Sequence, residues 1–284
     1  MCTICGCSDD ANVRVVGLEN GQIIEAHQHQ HEHEHEHEHE HEHSDRSEHD
    51  EHAAHHHAIP HGTTVTLEMD ILAKNNSLAE RNRGWFAGRD ILALNLVSSP
   101  GSGKTTLLER TILDLSSQLP ISVIGGDQET ANDARRIGAT GCKVVQINTG
   151  TGCHLDAEML ARGLRQLDPP FNSIVMIENV GNLVCPALFD LGERAKIVVL
   201  SVTEGEDKPV KYPHMFRAAQ LMILNKIDLL PHLEFNVERC VDYARQVNPR
   251  IQVILLSALK GDGLEQWYDW LRAEFSSGEQ MPIT

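Results

Sequence analysis

Gly103, Lys104 and Thr105 stand at the end of the stretch SSPGSGKTT, residues 98–106. They meet the phosphate-loop pattern G-x-x-x-x-G-K-[ST] everywhere but its first position, where Ser98 replaces glycine. That exchange is tolerable if Ser98 takes the backbone angles of the turn. Gly101 and Gly103 let backbone N–H groups approach a phosphate closely, with Ser102 between them and Thr106 beyond. In such a loop Lys104 bridges the β- and γ-phosphates and Thr105 ligates Mg²⁺. The helix that follows points its positive end at the anion. The plain alternative is a chance glycine-rich turn, but its place directly after an apolar run favours the nucleotide.

A second group would choose the base. NKID, residues 225–228, lies about 120 residues after the phosphate loop and ends another apolar run. The carboxylate of Asp228 can accept from guanine N1–H and its 2-amino group. Adenine would set an acceptor against it, a mismatch costing about 1–3 kcal/mol in a buried site. Asn225 and Lys226 belong to the same motif, Lys226 lying along the nucleotide or simply in solvent. SALKG, 257–261, ends the next run, and Ser257 and Ala258 are candidates for guanine O6. Two acids that can manage Mg²⁺ and water follow strand-like runs on the phosphate side: Asp127 in GGDQETANDA and Glu178 in IENVGN. Glu178-x-x-Gly181 occupies the position of the Asp-x-x-Gly of many GTPases. Its longer side chain can meet Mg²⁺ directly, through water, or hold the attacking water. Asp133 either helps there or faces solvent near a helix start.

The third group consists of soft metal ligands. Cys153 and His154 are adjacent at an expected strand-to-helix turn, where both can reach one ion, and Cys185 follows Gly181 closely. Two thiolates and an imidazole suit Zn²⁺ or Ni²⁺; two buried cysteines and a helix-start histidine are the structural alternative. Nearness to the Glu178–Gly181 segment favours metal, because that segment should respond to the γ-phosphate. At the N-terminus, MCTICGC offers Cys2, Cys5 and Cys7. With the terminal amine they form a four-donor set for square-planar Ni²⁺ or tetrahedral Zn²⁺. A redox dithiol is the alternative, without a thioredoxin-like pattern around it. Between head and phosphate loop, residues 26–61 hold fifteen histidines interleaved with glutamates.

The elements that must position these residues follow from the apolar pattern. Short Val/Ile/Leu-rich runs occur at 91–97, 121–125, 143–147, 173–177, 196–201, 221–225 and 251–257. They lack clean alternation, as strands covered on both faces do. Helices are expected at 104–118, 130–137, 154–166, 211–219, 235–247 and 263–275. The fold class is therefore α/β, a doubly wound, mostly parallel sheet of the P-loop NTPase kind, with ligands beyond the carboxyl ends of its strands. Residues 66–86, with Leu67, Ile71, Leu72, Leu78 and Phe86, read as one or two helices entering the domain. Three regions result: a Cys-rich head at 1–10, a His/Glu-rich disordered linker at 11–65, and the nucleotide domain at 66–284.

Composition narrows the function classes. Residues 25–61 carry eleven acids and one arginine, so they supply −10 of the net −17 and leave −7 elsewhere. No basic patch invites nucleic acid through its phosphates. No window holds ~18 consecutive apolar residues, so no membrane span is expected. The N-terminus lacks the basic and apolar regions of a secretory signal, which implies the cytoplasm and reduced thiols.

With these motifs in hand, the chain resembles the HypB-type GTPases that deliver nickel for hydrogenase maturation. MCTICGC, SSPGSGKTT, GGDQETANDA, NTGTGCHLDAEM, IENVGNLVCP, TEGEDKP and NKIDLL carry the resemblance, across the head and about 90–275. It implies GTP hydrolysed slowly to GDP, tight Ni²⁺ at Cys2, Cys5 and Cys7, and a weaker Ni²⁺ or Zn²⁺ site at Cys153, His154 and Cys185. It further implies a nucleotide-linked homodimer, with Lys208 of TEGEDKP near the subunit contact. A HypA-type metallochaperone would be the partner, with the hydrogenase large subunit served indirectly. The histidine run then looks like a nickel store; an expanded repeat or purification tag is the alternative. The urease-type nickel GTPase is similar in fold but carries Cys-Pro-His where this chain has Cys-His. A metal-storage protein and a metal-independent GTPase remain the other function classes.

Overall fold

The computed structural model describes residues 14–19, 22–26, 61–128, 130 and 132–278. The head with Cys2, Cys5 and Cys7, and all but the ends of the histidine run, lie outside the described residues, as does the expected disorder there. The chain begins with strands β1 (Arg14–Glu19) and β2 (Gln22–Ala26), then helix α1 (His61–Ala87). Next come β3 (Ile91–Ser98), α2 (Lys104–Leu115), β4 (Ile121–Asp127), α3 (Asn132–Gly138), β5 (Lys143–Asn148) and α4 (Ala157–Leu167). β6 (Ser173–Gly181) leads into a 3-10 turn at Cys185–Ala187, followed by β7 (Ala195–Ser201) and the short helices α5 (Lys208–Lys211) and α6 (Pro213–Ala218). β8 (Leu221–Asn225), a 3-10 helix (Ile227–His232), α7 (Val237–Val247), β9 (Gln252–Leu255) and α8 (Leu264–Gly278) complete it.

Among the described residues one nine-stranded sheet runs in the order β2-β1-β5-β4-β6-β3-β7-β8-β9. The seven expected strands are mutually parallel, with β3 between β6 and β7. Alternation along each strand builds the two covered faces. Leu92, Leu94 and Leu96 of β3 join α2, α3 and α8 on one side, while Ile91 and Ala93 join α1 and α4 on the other. Met222 and Leu224 of β8 pack with Met215, Phe216, Cys240 and Ala244 from α6 and α7. No described helix is long and apolar enough to cross a membrane.

Three details differ from the sequence reading. β1 and β2 form an antiparallel hairpin added to the edge of β5, inside the region read as linker from 11 to 65. The histidine run dominated that region's composition and hid RVVGLE and QIIEA; Asn20-Gly21 between them is a pair that favours two-residue hairpin connections. The entering helix is single and starts at His61. Its buried stripe is Asn75, Ala79, Asn82 and the expected Phe86, while the expected Ile71 is exposed and Leu72 and Leu78 are half-buried. The helix expected at 211–219 is split at Tyr212, which has φ −122° and ψ 54°. Pro213 disfavours helical angles in the residue before it.

Trp267 of α8 is fully buried, and its indole N–H donates to Thr111 Oγ1 at 2.9 Å. Trp267→Ala should therefore lower stability by about 3–5 kcal/mol, read as a shift of the urea unfolding midpoint at unchanged slope.

Candidate functional site

The carboxyl ends of the seven parallel strands, β3 to β9, carry the candidate residues. Directly after β3, Gly101 (φ 74°) and Gly103 (φ 98°) take left-handed angles that glycine adopts without steric cost. A Cβ at Gly103 would lie 2.5 Å from Asn225 Nδ2, so space also excludes a side chain there. Gly103 starts α2 without any side-chain cap. Leu107 N–H donates to Gly103 O. By helix geometry the N–H groups of Lys104, Thr105 and Thr106 then face outward, an anion cradle. The buried Ser102 Oγ has no hydrogen-bond partner among the described residues. Thr106 Oγ1 accepts from Arg136, which also pairs with Glu109 at 2.6 Å.

Lys104 is buried, and Nζ donates to Ser98 Oγ at 2.5 Å. The serine at the loop's first position thus supplies a hydroxyl that glycine could not. Burial pulls the Lys104 ammonium down, against the opposing field of Glu178 and weaker ones from Asp133, Glu204 and Asp127. Thr105 Oγ1 donates to Glu178 Oε1 at 2.7 Å. Thr105 and Glu178 are therefore together, hard oxygen donors of the kind Mg²⁺ prefers. Asp127 is turned toward its own loop: its carboxylate accepts from Gln128 N–H at 2.7 Å and from the Thr130 hydroxyl. Asp133 opens the first turn of α3.

The base side is held by Asn225. Its Nδ2 donates to Ser102 O at 2.9 Å, and its Oδ1 accepts from Lys226 N–H at 2.7 Å and Ala258 N–H at 3.1 Å. Lys226, at φ 64°, donates to Gly101 O at 2.6 Å and so lies across the phosphate loop. Asp228 Oδ1 is buried with no hydrogen-bond partner among the described residues. An unpaired buried acceptor is costly, and the donor edge of guanine is the complement it lacks. Ser257 and Ala258, the candidates for guanine O6, also bond within the protein. Ala258 N–H is taken by Asn225, Ser257 N–H donates to Asp262 O at 2.8 Å, and Ser257 Oγ accepts from Lys260 N–H at 3.0 Å. These bonds shape the loop and leave the Ser257 O–H to meet a ligand.

The soft ligands converge. Ligand atoms of Cys153, His154 and Cys185 all lie within 4.8 Å of one another, with the two sulfurs 2.9 Å apart and His154 Nδ1 3.8 Å from Cys153 Sγ. His154 is buried, its ring 3.9 Å from that of Phe189. Burial lowers its pKa, with only Asp156 opposing, which favours the neutral imidazole that binds metal. The local fold places them. Thr149 Oγ1 closes the loop onto Gly152 O at 2.6 Å, and Asp156 caps α4 through Met159 N–H at 2.7 Å. On the facing segment, Asn182 donates to Cys153 O at 3.2 Å.

Asn179 and Asn95 were missed from sequence. Asn179 Oδ1 accepts from Leu155 N–H at 3.1 Å, and its Nδ2 donates to Asn95 Oδ1 at 3.2 Å. The one available signal was polar residues inside strand-like runs, in LNLV and IENV. Thr149 N–H donates to Asp127 O at 2.9 Å, and a Cβ on Gly181 would meet Pro100 at 3.1 Å. The two sites therefore share a wall. Lys208, the first residue of α5, lies 3.9 Å from Glu204 of its own chain.

Comparison with known proteins bears on the family and the fold. Residues 92–255 match the family described as CobW/HypB/UreG, nucleotide-binding domain. The chain is similar to the hydrogenase maturation factor HypB of Escherichia coli (strain K12), 51% identical over 288 residues, covering 96% of this chain and 99% of that one. It is 60% identical over 207 residues to the HypB of Rhizobium leguminosarum, covering 73% and 69%. Among solved structures, HypB from Archaeoglobus fulgidus superposes with a TM-score of 0.67 at 40% identity, covering 72% of this chain and 99% of that one. HypB from Helicobacter pylori in complex with nickel gives 0.68 at 34%, covering 74% and 99%.

Burial pushes the Glu178 carboxyl from 4.5 up to about 7, against Lys104 and Thr105, which pull it down. The folded nucleotide-free protein thus keeps a proton that the unfolded chain releases. Its stability should fall as pH rises from about 4.5 to about 7. In Glu178→Gln this contribution is gone. Urea midpoints measured across that window should show the variant gaining on the parent as pH rises, with no further gain above it.

Proposed function

Because the chain belongs to the HypB hydrogenase maturation factors, with their CobW/HypB/UreG-type nucleotide-binding domain, we propose that it is a GTPase whose cycle controls nickel handling during nickel–iron hydrogenase maturation. In this reading Asp228 accepts from guanine N1–H and the 2-amino group. Lys104 and the amides of the loop and α2 hold the β- and γ-phosphates. Thr105 and Glu178 hold Mg²⁺, with Asp127 swinging in from its loop, and Mg²⁺ supplies charge neutralisation on the phosphates. Glu178, at a pKa near neutrality, can also take hydrogen bonds from the attacking water. No covalent intermediate is required: positioning and electrostatics carry the reaction.

Cys153, His154 and Cys185 hold the cargo ion, Ni²⁺ or in its place Zn²⁺. Cys2, Cys5 and Cys7 form the tighter nickel site, and the histidine run serves as a store that raises local ion concentration. GTP pairs two subunits, with Lys208 near the contact, and hydrolysis loosens the cysteine–histidine site. The ion then passes to a HypA-type metallochaperone and through it to the hydrogenase large subunit, in the cytoplasm. What supports the coupling is one observation: adjacent residues of β6 serve both sites. Glu178 bonds Thr105 of the phosphate loop's helix, and Asn179 bonds Leu155 beside His154.

Native mass spectrometry of the full chain, titrated with Ni²⁺ in the presence of GDP or a non-hydrolysable GTP analogue, tests this cycle. Metal uptake and dimer mass that depend on the nucleotide support it; uptake and mass indifferent to nucleotide would leave a plain GTPase or a storage protein. The base assignment has its own test. Asp228→Asn should weaken GTP binding by about 10-fold or more while gaining xanthosine triphosphate, whose O2 can accept from the new amide. Unchanged base preference, read by competition against a fluorescent GDP, would remove Asp228 from the site.

A further inference from the structure

Helix α1 buries two asparagines, each 5% exposed, on the stripe Asn75, Ala79, Asn82. Positions four and seven residues apart share one helix face, so both amides point into the same seam. Asn75 Oδ1 accepts from Ala157 N–H at 2.9 Å, and its Nδ2 donates to Asp190 O at 2.8 Å. Asn82 Nδ2 donates to Ala157 O at 2.8 Å and to Leu191 O at 3.0 Å. Ala157 follows closely on Cys153 and His154; Asp190 and Leu191 follow closely on Cys185. Each asparagine therefore ties the segment bearing Cys153 and His154 to the segment bearing Cys185.

Two further contacts fix the second segment on the helix. Gly192, at φ 88°, lies so close to α1 that a Cβ would stand 2.4 Å from Ala79 O. Arg83 Nη2 pairs with Asp190 Oδ2 at 2.7 Å. The Ala157 N–H opens α4 with no intrahelical acceptor, and the carbonyls of Asp190 and Leu191 lie outside helix and strand, so each of these buried groups requires a partner in the seam. An apolar residue at 75 or 82 would fill the seam and supply none.

We infer that α1 is the template of the cysteine–histidine site, with Asn75 and Asn82 as positioning residues that set the separation of its two ligand-bearing segments without touching the ion. This inference rests on Cys153, His154 and Cys185 being metal ligands. Groups that orient ligands typically change metal affinity about 10–100-fold when removed.

The test uses the full chain with Cys2, Cys5 and Cys7 replaced by alanine, titrated with Ni²⁺ alone. The readout is the thiolate-to-nickel charge-transfer absorption, which the imidazoles of the histidine run do not produce. Cys142 and Cys240 are buried with thiols pushed up to about 12, so they do not add to it. Asn75→Ala and Asn82→Ala should each weaken Ni²⁺ binding about 10-fold or more. Affinity for a fluorescent GDP should stay within about twofold. Leu167→Ala, a buried truncation at the far end of α4, is the control: it should lower Tm and leave nickel affinity within about twofold. Asparagine variants that bind nickel like the parent overturn the inference, as does a control that loses as much affinity as they do. If an alanine variant does not fold, the near-isosteric Asn75→Asp, which keeps the acceptor for Ala157 and loses the donor to Asp190, should show the same loss. Parent absorption that survives Cys153→Ser and Cys185→Ser would instead sink the metal site itself, and the inference with it.

Discussion

Successive side chains of a strand point to opposite faces of its sheet, and at the carboxyl end of β6 this alternation divides the chemistry of the molecule. Glu178 turns to one face and meets Thr105 at the start of α2; Asn179 turns to the other and meets Leu155 at the start of the α4 segment. Neither can move far alone, because one peptide joins them and β6 is hydrogen-bonded to β3 and β4 on its two sides. Glu178 is thus one residue from the contact that holds the segment carrying Cys153 and His154. The contact of Gly181 on Pro100 and the bond from Asn182 to Cys153 O extend the same strand end into both loops.

The phosphate side shows why such a strand end would respond to a nucleotide. Burial works against both charges of the Lys104–Glu178 pair, lowering one pKa and raising the other, while each opposes the shift in its partner. Removing one of two buried charges leaves the other uncompensated. A phosphate at the cradle relieves Lys104, and a divalent cation relieves Glu178. Both partners of the pair can then be fully charged without depending on each other. In the proposed reading, the desolvation of two side chains thus favours nucleotide and Mg²⁺ arriving together.

Much of this was legible in the sequence, for a physical reason. A strand covered on both faces has to be apolar nearly throughout, so the seven runs announced themselves, and glycines needing positive φ marked the phosphate loop. What escaped was structure whose signal is weak per residue. β1 and β2 are short strands, β2 at the sheet edge and β1 between it and β5, with only a few apolar residues beside a composition that overwhelmed them. α1 was legible as a helix but not in its orientation, since apolar counting gave no weight to Asn75 and Asn82, which are buried because they have backbone partners. The role of Ala258 turned on a hydrogen bond to Asn225, a residue 33 positions away, which no local pattern records.

The two ligand sets also differ in kind, and the difference does mechanistic work. Thr105, Glu178 and Asp127 offer hard oxygens; Cys153, His154 and Cys185 offer sulfur and nitrogen. Ni²⁺ and Zn²⁺ outcompete Mg²⁺ at almost any site by intrinsic affinity, so a protein that needs both must separate them by ligand type and geometry. Here the sheet is the separator. Asn95 and Asn179 fill the wall between the sites with amides that hydrogen-bond to each other, to Glu193 and to backbone N–H groups. An amide oxygen so committed is a poor ligand for either kind of ion. Adjacent residues of β6 bond to both sides of that wall, Glu178 to Thr105 and Asn179 to Leu155, so one strand joins the hard donor set to the soft one.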